Sequence, residues 1–306
     1  MTSGVFCEPQ PGRIAHTPTS LLLANDPDFA AWARSVATVK YEASSALAKS
    51  SASCWGDHQP AVSGFNLGFE NPVHFQELFR SGSDPKLSRD FGGFLKATQR
   101  IYANDSMHVL NGFDWASLGR ATVVDMARPA SARVSAQLIK KFNDLEMVIV
   151  GQSEFEPLIK SELANFPADL TSRIASQLSK GPVLEFDGKA DVIMIRHLLH
   201  HFPEQAAVRM LSNLVTKLKP NGVILIVDLV MPKPGTTNSY DEALLRTRDL
   251  IHTELSNGET RDLESWDALI SKVRGGLEIS EIKRPVGSDL SFIKVQVAQQ
   301  NGVGGH

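Results

Sequence analysis

Histidine is the residue type here whose spacing could do chemistry. His197, His200 and His201 fall within five positions of one another, and His108 follows Asp105-Ser106-Met107. An imidazole changes charge near neutral pH, so it can move a proton, hydrogen-bond a carbonyl or ligate a metal. The metal reading is weak by spacing alone. His197 and His201 are four apart, but they sit on a strand-to-loop segment, and Leu198 stands where a helical zinc-protease motif needs glutamate, so no metal is expected. The only cysteines, Cys7 and Cys54, have no paired spacing, which argues against a disulfide framework or a zinc knuckle and suits a reducing, cytoplasmic compartment. His108 could polarise a substrate carbonyl, or simply ride on a helix whose start is capped by Asp105 or Ser106.

These residues need a scaffold, and the pattern from Thr122 onward supplies one. Short β-branched runs alternate with helical periodicity, which predicts a parallel sheet covered on both faces. Strands are expected at 122–126, 147–150, 191–195, 223–230, 277–282 and 291–297, with a weaker one at Val183 to Phe186. Helices are expected at 134–142, 204–218, 240–255 and 263–273. The first hundred residues read as mostly helical, with a helix opening at Asp26-Pro27-Asp28, a Ser/Gly/Pro connector from Ser50 to Gly64, and helical patterns at 74–81 and 84–102. The glycine-rich end, 301–306, has little to bury and is expected to fray.

Composition bounds the partners. A chain of 306 residues with net charge −3 has no basic field for nucleic acid, and a small organic molecule is the expected partner. The longest apolar run, 223–231, is interrupted by Asp228 and too short to span a bilayer; no leader segment is visible.

Several segments resemble the fungal O-methyltransferases related to the plant caffeic-acid type. Gly4-Val5-Phe6-Cys7-Glu8-Pro9 with Ile14-Ala15-His16-Thr17 is similar to the wing of that family's N-terminal winged-helix domain, and Gly112-Phe113-Asp114-Trp115 to its hinge. Leu198-Leu199-His200-His201-Phe202, Leu218-Lys219-Pro220-Asn221-Gly222 and Arg284-Pro285 continue the match. The resemblance implies a class I methyltransferase fold: a Rossmann-like α/β domain over 111–306 with helices on both faces of its sheet, preceded by a helical, truncated winged-helix-type region over 1–110. It also implies a homodimer. The chain starts at the wing, without the dimerisation helices that intertwine the family's two copies, which puts that assembly in question.

The resemblance further assigns His200 as general base and Asp228 as the acid that orients it, with Thr260 standing where the family has a second acid. His197 and His108 are further candidates for polarising a substrate. Phe65, Phe69, Met107, Phe113, Trp115, Leu250 and Phe292 fall in segments that line the family's substrate cavity. The family binds S-adenosylmethionine through a glycine-rich turn after the first strand, an acid ending the second strand, and an acid facing the adenine. Here Asp125 is kept, but the turn Met126-Ala127-Arg128-Pro129-Ala130-Ser131-Ala132-Arg133 has no glycine, Gly151 replaces the ribose acid, and Lys180 falls near the adenine acid. Arg128 or Lys180 could occupy the vacated space.

A kept reaction side beside a lost donor side leads to an expected pseudo-methyltransferase. It would be a cofactor-independent pericyclase or cyclase, resembling those of this fold that perform dehydration, Alder-ene or hetero-Diels–Alder steps on polyketide-derived intermediates. The alternatives are an ordinary S-adenosylmethionine-dependent O-methyltransferase of a phenolic or enolic metabolite, and a non-catalytic partner protein.

Overall fold

The computed structural model describes residues 3–52, 62–75, 77–78, 82–101, 105–127, 130–180 and 184–298. Cys54, Arg128, most of the 50–64 connector, part of 74–81 and the 301–306 tail lie outside the described residues. The chain divides into two compact units, one of residues 1–103 with 253–257, the other of 104–252 with 258–306.

In the first unit, strands β1 (Phe6–Gln10) and β2 (Arg13–His16) form an antiparallel hairpin, and the helices that follow start at prolines. Asp26 caps one of these, its carboxylate accepting from the N–H groups of Asp28 and Phe29 at 3.0 and 3.2 Å. That helix, Pro27–Ser35, passes through a π turn at Val36–Lys40 into Tyr41–Ser45.

The second unit is built on a seven-stranded sheet. Its strands are β3 (Ala121–Ala127), β4 (Leu145–Gln152), β5 (Ile174–Ser179), β6 (Ala190–Arg196), β7 (Leu218–Leu229), β8 (Leu277–Lys283) and β9 (Leu290–Val297), in the order β5-β4-β3-β6-β7-β9-β8. Strands β3 to β7 are parallel, and β9 and β8 complete the sheet antiparallel. Alternate side chains of the central strands supply two cores. Val124, Met126, Ile193, Ile195, Ile224 and Ile226 pack with the helices Glu204–Val215 and Leu263–Ser271. Val123, Val192, Met194, Leu225 and Val227 pack with the helix Arg133–Lys141. This is the near-continuous apolar composition that a parallel sheet buried on both sides requires.

One strand differs from the expected set. The weak candidate at Val183 to Phe186 is not a strand over its described part, Leu184–Phe186; the edge strand is Ile174–Ser179, pairing with β4 from Met147↔Ile174 to Gln152↔Ser179. An edge strand exposed along part of its length carries polar residues, so Ile-Ala-Ser-Gln-Leu-Ser shows no apolar run. Phe186, by contrast, is an apolar loop residue inserted into the core.

Chain order reverses between β3 and β6: from β3 the sheet continues outward to β4 and β5, and from β6 to β7. Ligands of open α/β sheets bind beyond the carboxyl ends of strands at such a switch point.

Candidate active site at the carboxyl ends of the strands

Two clusters of polar side chains stand at this edge of the sheet. The first joins β3 to β6. Asp125 and Arg196 are on the same face of neighbouring strands, and Arg196 donates from Nε and Nη2 to the two carboxylate oxygens at 2.9 and 3.0 Å. Ser135, in the first turn of the helix Arg133–Lys141, also donates to Asp125 Oδ2 at 3.0 Å. All three residues are buried.

The turn after β3 folds back onto the end of β4. A Cβ built on Gly151 would stand 2.3 Å from the Ala130 methyl, so Ala130 fills the space beside Gly151. Ala130 and Ala132 bury themselves against Ile149 and Ile159, with Phe155, Leu163 and Leu178 around them. The turn's polar groups are spent locally: Ser131 Oγ and the Ala132 N–H both donate to Glu162 Oε2, at 2.8 and 2.7 Å. Lys180 is exposed just past the end of β5.

Among the described residues, these do not supply the glycine turn and the ribose acid through which the resemblance places S-adenosylmethionine. The acid of β3 is neutralised from within, Gly151, where the resemblance puts the ribose acid, is covered by a methyl group, and Ser131 Oγ and the Ala132 N–H point at Glu162. An apolar cluster stands where the family pattern calls for open backbone and carboxylates.

The second cluster joins β6 to β7. His197 N–H donates to Val227 O at 3.2 Å as the chain leaves β6 in a left-handed conformation, φ 49°. Such a backbone is costly for a non-glycine residue and is held here by its surroundings. The chain then enters the 3-10 turn Leu199–His201. His200 is buried on it, and its Nδ1 lies 2.6 Å from Oδ1 of buried Asp228, near the end of β7. Burial by itself would raise the Asp228 carboxyl. The charge and hydrogen bond of His200, the charge of His197 and the N–H of Leu229 outweigh it and hold Asp228 below the ordinary carboxylate value. Asp228 is therefore the acceptor of the Nδ1–H of His200, and in the neutral ring so oriented the lone pair is on Nε2.

Residues far apart in sequence build the wall behind this turn. Buried Arg261 donates to Leu199 O at 3.1 Å and to Phe202 O at 2.9 Å, bracketing the turn, while its guanidinium lies over the Trp266 ring. Gly258 passes so close to the His200 carbonyl that a Cβ there would stand 2.2 Å from the oxygen, and the Glu259 N–H donates to the same carbonyl at 2.9 Å. His252, from the helix Ser239–Ser256, brings its ring centroid to 4.2 Å from that of His200, as does His201.

The remaining sequence candidates disperse. Thr260 is buried, its N–H donating to Asp249 Oδ1 at 2.7 Å and its hydroxyl without a partner among the described residues. Trp115 and Phe292 are core residues of the second unit; the Trp115 indole N–H donates to Val109 O, and Phe113 packs edge-on to Trp115. Phe65 is buried against Phe69 and Phe75 in the first unit. Met107 and Leu250 are more than half exposed, and His108 is half-buried on the helix Asp105–Gly112. His252, Arg261 and Arg196 went unnoticed in the sequence. No spacing links the first two to His200, although an arginine ending an apolar strand could have marked the third.

Known proteins show what this chain is similar to. A family model for the O-methyltransferase domain matches residues 83–275. The chain is 34% identical over 308 residues to O-methyltransferase aoiF of Aspergillus oryzae, covering 97% of this chain and 70% of that protein. It is 30% identical to O-methyltransferase VdtC of Byssochlamys spectabilis, covering 96% and 68%. Among solved structures, the mitomycin 7-O-methyltransferase MmcR superposes with a TM-score of 0.75 at 20% identity, covering 97% of this chain and 80% of that one. NcsB1, an O-methyltransferase from neocarzinostatin biosynthesis solved with S-adenosylmethionine and 2-hydroxy-5-methyl naphthoic acid, superposes with 0.69 at 18% identity, covering 97% and 82%. The structural likeness gives the class I methyltransferase fold, and the sequence matches give the family: this chain belongs to the O-methyltransferase domain family.

Proposed function

We propose that this chain catalyses a proton-transfer-driven cyclisation or dehydration of a phenolic or enolic secondary metabolite, of the pericyclase kind, without a methyl donor. The single observation that carries the reading is the contrast between the two clusters. Asp125 is paired with Arg196 and Ala130 lies against Gly151 on the side where the resemblance places the donor, while His200 lies against Asp228 as an oriented base would.

Proton removal follows from that geometry. Nε2 of His200 accepts the proton of an acidic substrate hydroxyl, and Asp228 stabilises the imidazolium through Nδ1–H. The electron pair left on oxygen delocalises into the conjugated system and drives bond formation elsewhere in the same molecule. The imidazolium then returns its proton to the new carbon or oxygen centre, or to a departing hydroxyl that leaves as water. The first outcome is an isomer of the substrate, the second its dehydration product, and neither draws on a second reactant. A positioned base supplies about 10²–10⁴-fold, and holding the substrate in one reactive conformer lowers the barrier by up to about 7–11 kcal/mol.

The relatives support a second reading. They are named O-methyltransferases, and an oriented histidine that deprotonates a hydroxyl also serves S-adenosylmethionine-dependent O-methylation. Two measurements separate the readings. Calorimetric titration with S-adenosylmethionine is expected to give no saturable heat at concentrations up to about 1 mM; micromolar binding would select methylation. Incubation with enolic polyketides, followed by mass spectrometry, is expected to give isomers or products lighter by one water. A gain of one methylene, seen only with the donor present, would overturn the cyclase reading, as would unchanged turnover by His200→Ala.

A further inference from the structure

We propose that His200, His201 and His252 form a binding site for a zinc-class divalent cation. The three side chains each offer a nitrogen, and these atoms all lie within 4.8 Å of one another. Two elements present them: the 3-10 turn carries His200 and His201, and the helix Ser239–Ser256 carries His252. Centroid separations of 4.2, 4.2 and 5.2 Å make this a closed triangle rather than a row along one face.

Three features match what such an ion requires. Zinc takes imidazole nitrogens at about 2.0–2.1 Å in a tetrahedral arrangement, which puts ligand nitrogens roughly 3.4 Å apart. His201 and His252 are half-buried, so modest ring rotations suffice to close the gap from 4.8 Å. Asp228 already accepts from Nδ1 of His200 at 2.6 Å. A carboxylate behind a ligating imidazole fixes the tautomer and strengthens the nitrogen that faces the metal. The backbone is also held: Gly258 N–H donates to His252 O at 3.1 Å, Glu259 N–H to His200 O at 2.9 Å, and Arg261 brackets the turn. With three imidazoles bound, the fourth tetrahedral position is open to water or to an oxygen of a small molecule.

Spacing in the sequence argued against a metal through His197 and His201, and that pair is not the one proposed. The triangle needs His252, which only the fold delivers. Occupancy would also act on the proposed reaction, because a cation on Nε2 of His200 and a proton accepted there exclude one another. The cation would thus be a reversible block on the base, lifted by a chelator.

The test uses the full chain without a polyhistidine tag and does not depend on turnover. Titration with Co²⁺, followed by visible spectroscopy, is expected to give one equivalent with tetrahedral d–d bands that Zn²⁺ displaces. His252→Ala and His201→Ala should each weaken binding at least about tenfold, and Asp228→Asn by about 10–100-fold. His16→Ala, in the first unit, is the control and should leave Co²⁺ binding unchanged. Circular dichroism of each variant separates lost ligation from lost folding. No saturable band in the folded wild-type chain, or binding unchanged in folded His252→Ala and His201→Ala, would overturn the site.

Discussion

Arg196 and Asp125 face each other across the boundary between β6 and β3, joined by two hydrogen bonds at 2.9 and 3.0 Å with side chains 7% and 1% exposed. The pair bridges the two strands where the sheet reverses its winding. In such a buried pair each charge is tolerable because the other is there. Arg196→Met is expected to cost about 3–5 kcal/mol in urea unfolding by leaving the carboxylate uncompensated, and Asp125→Asn with Arg196→Met to recover most of that loss. Strictly additive effects would show that the two residues do not depend on one another.

The Ala130–Gly151 contact makes a second prediction. Gly151→Ala should cost about 1–3 kcal/mol, because its Cβ would stand 2.3 Å from the Ala130 methyl. Ala130→Gly in the same chain should relieve most of it. The same contact means that a ribose-binding acid at position 151 would have no room without that second change, which thermal unfolding of Gly151→Asp alone and paired with Ala130→Gly can check.

Arg261 touches none of the atoms assigned to the reaction and acts through the turn that carries His200. Lysine keeps the charge but lacks the planar fork whose two nitrogens reach Leu199 O and Phe202 O separately. Arg261→Lys should lower kcat by roughly ten- to a hundredfold through misplacement of the imidazole, with KM little changed. A loss confined to KM would reassign it to substrate binding.

Acid should strip stability from the His200–Asp228 pair. Asp228 has a lower pKa in the folded chain than its ordinary 3.8, so the unfolded chain takes up the proton first on acidification. Its contribution to stability is therefore complete above that ordinary value and is lost as pH falls through the lower, folded one. The gap in thermal midpoint between wild type and Asp228→Asn should be full at pH 6–7, constant down to about pH 5, and narrower below about pH 4. A gap that widens on acidification would contradict the direction of the shift.

The central parallel strands were legible because strands buried on both faces must be apolar along most of their length. The edge strand Ile174–Ser179 was not, since exposure along one side frees its composition from that demand. His200 and Asp228 were singled out by the resemblance, which assigns them as base and orienting acid; that they meet follows from a parallel sheet, which brings the ends of neighbouring strands to the same edge. The absence of glycine from the turn after β3 was equally plain.

Sequence alone thus determined the kind of sheet through local periodicity and residue type, and its resemblance to the O-methyltransferases singled out His200, Asp228 and the departures from that family's donor-binding pattern. Tertiary structure decided what replaced that pattern and what surrounds the base. Arg196 meets Asp125, Ala130 covers Gly151, Arg261 braces the His200 turn, and His252 closes a triangle of imidazoles. Each of these joins residues distant in the chain, and no local spacing encodes such a contact: it exists only once strand order and helix packing have been set.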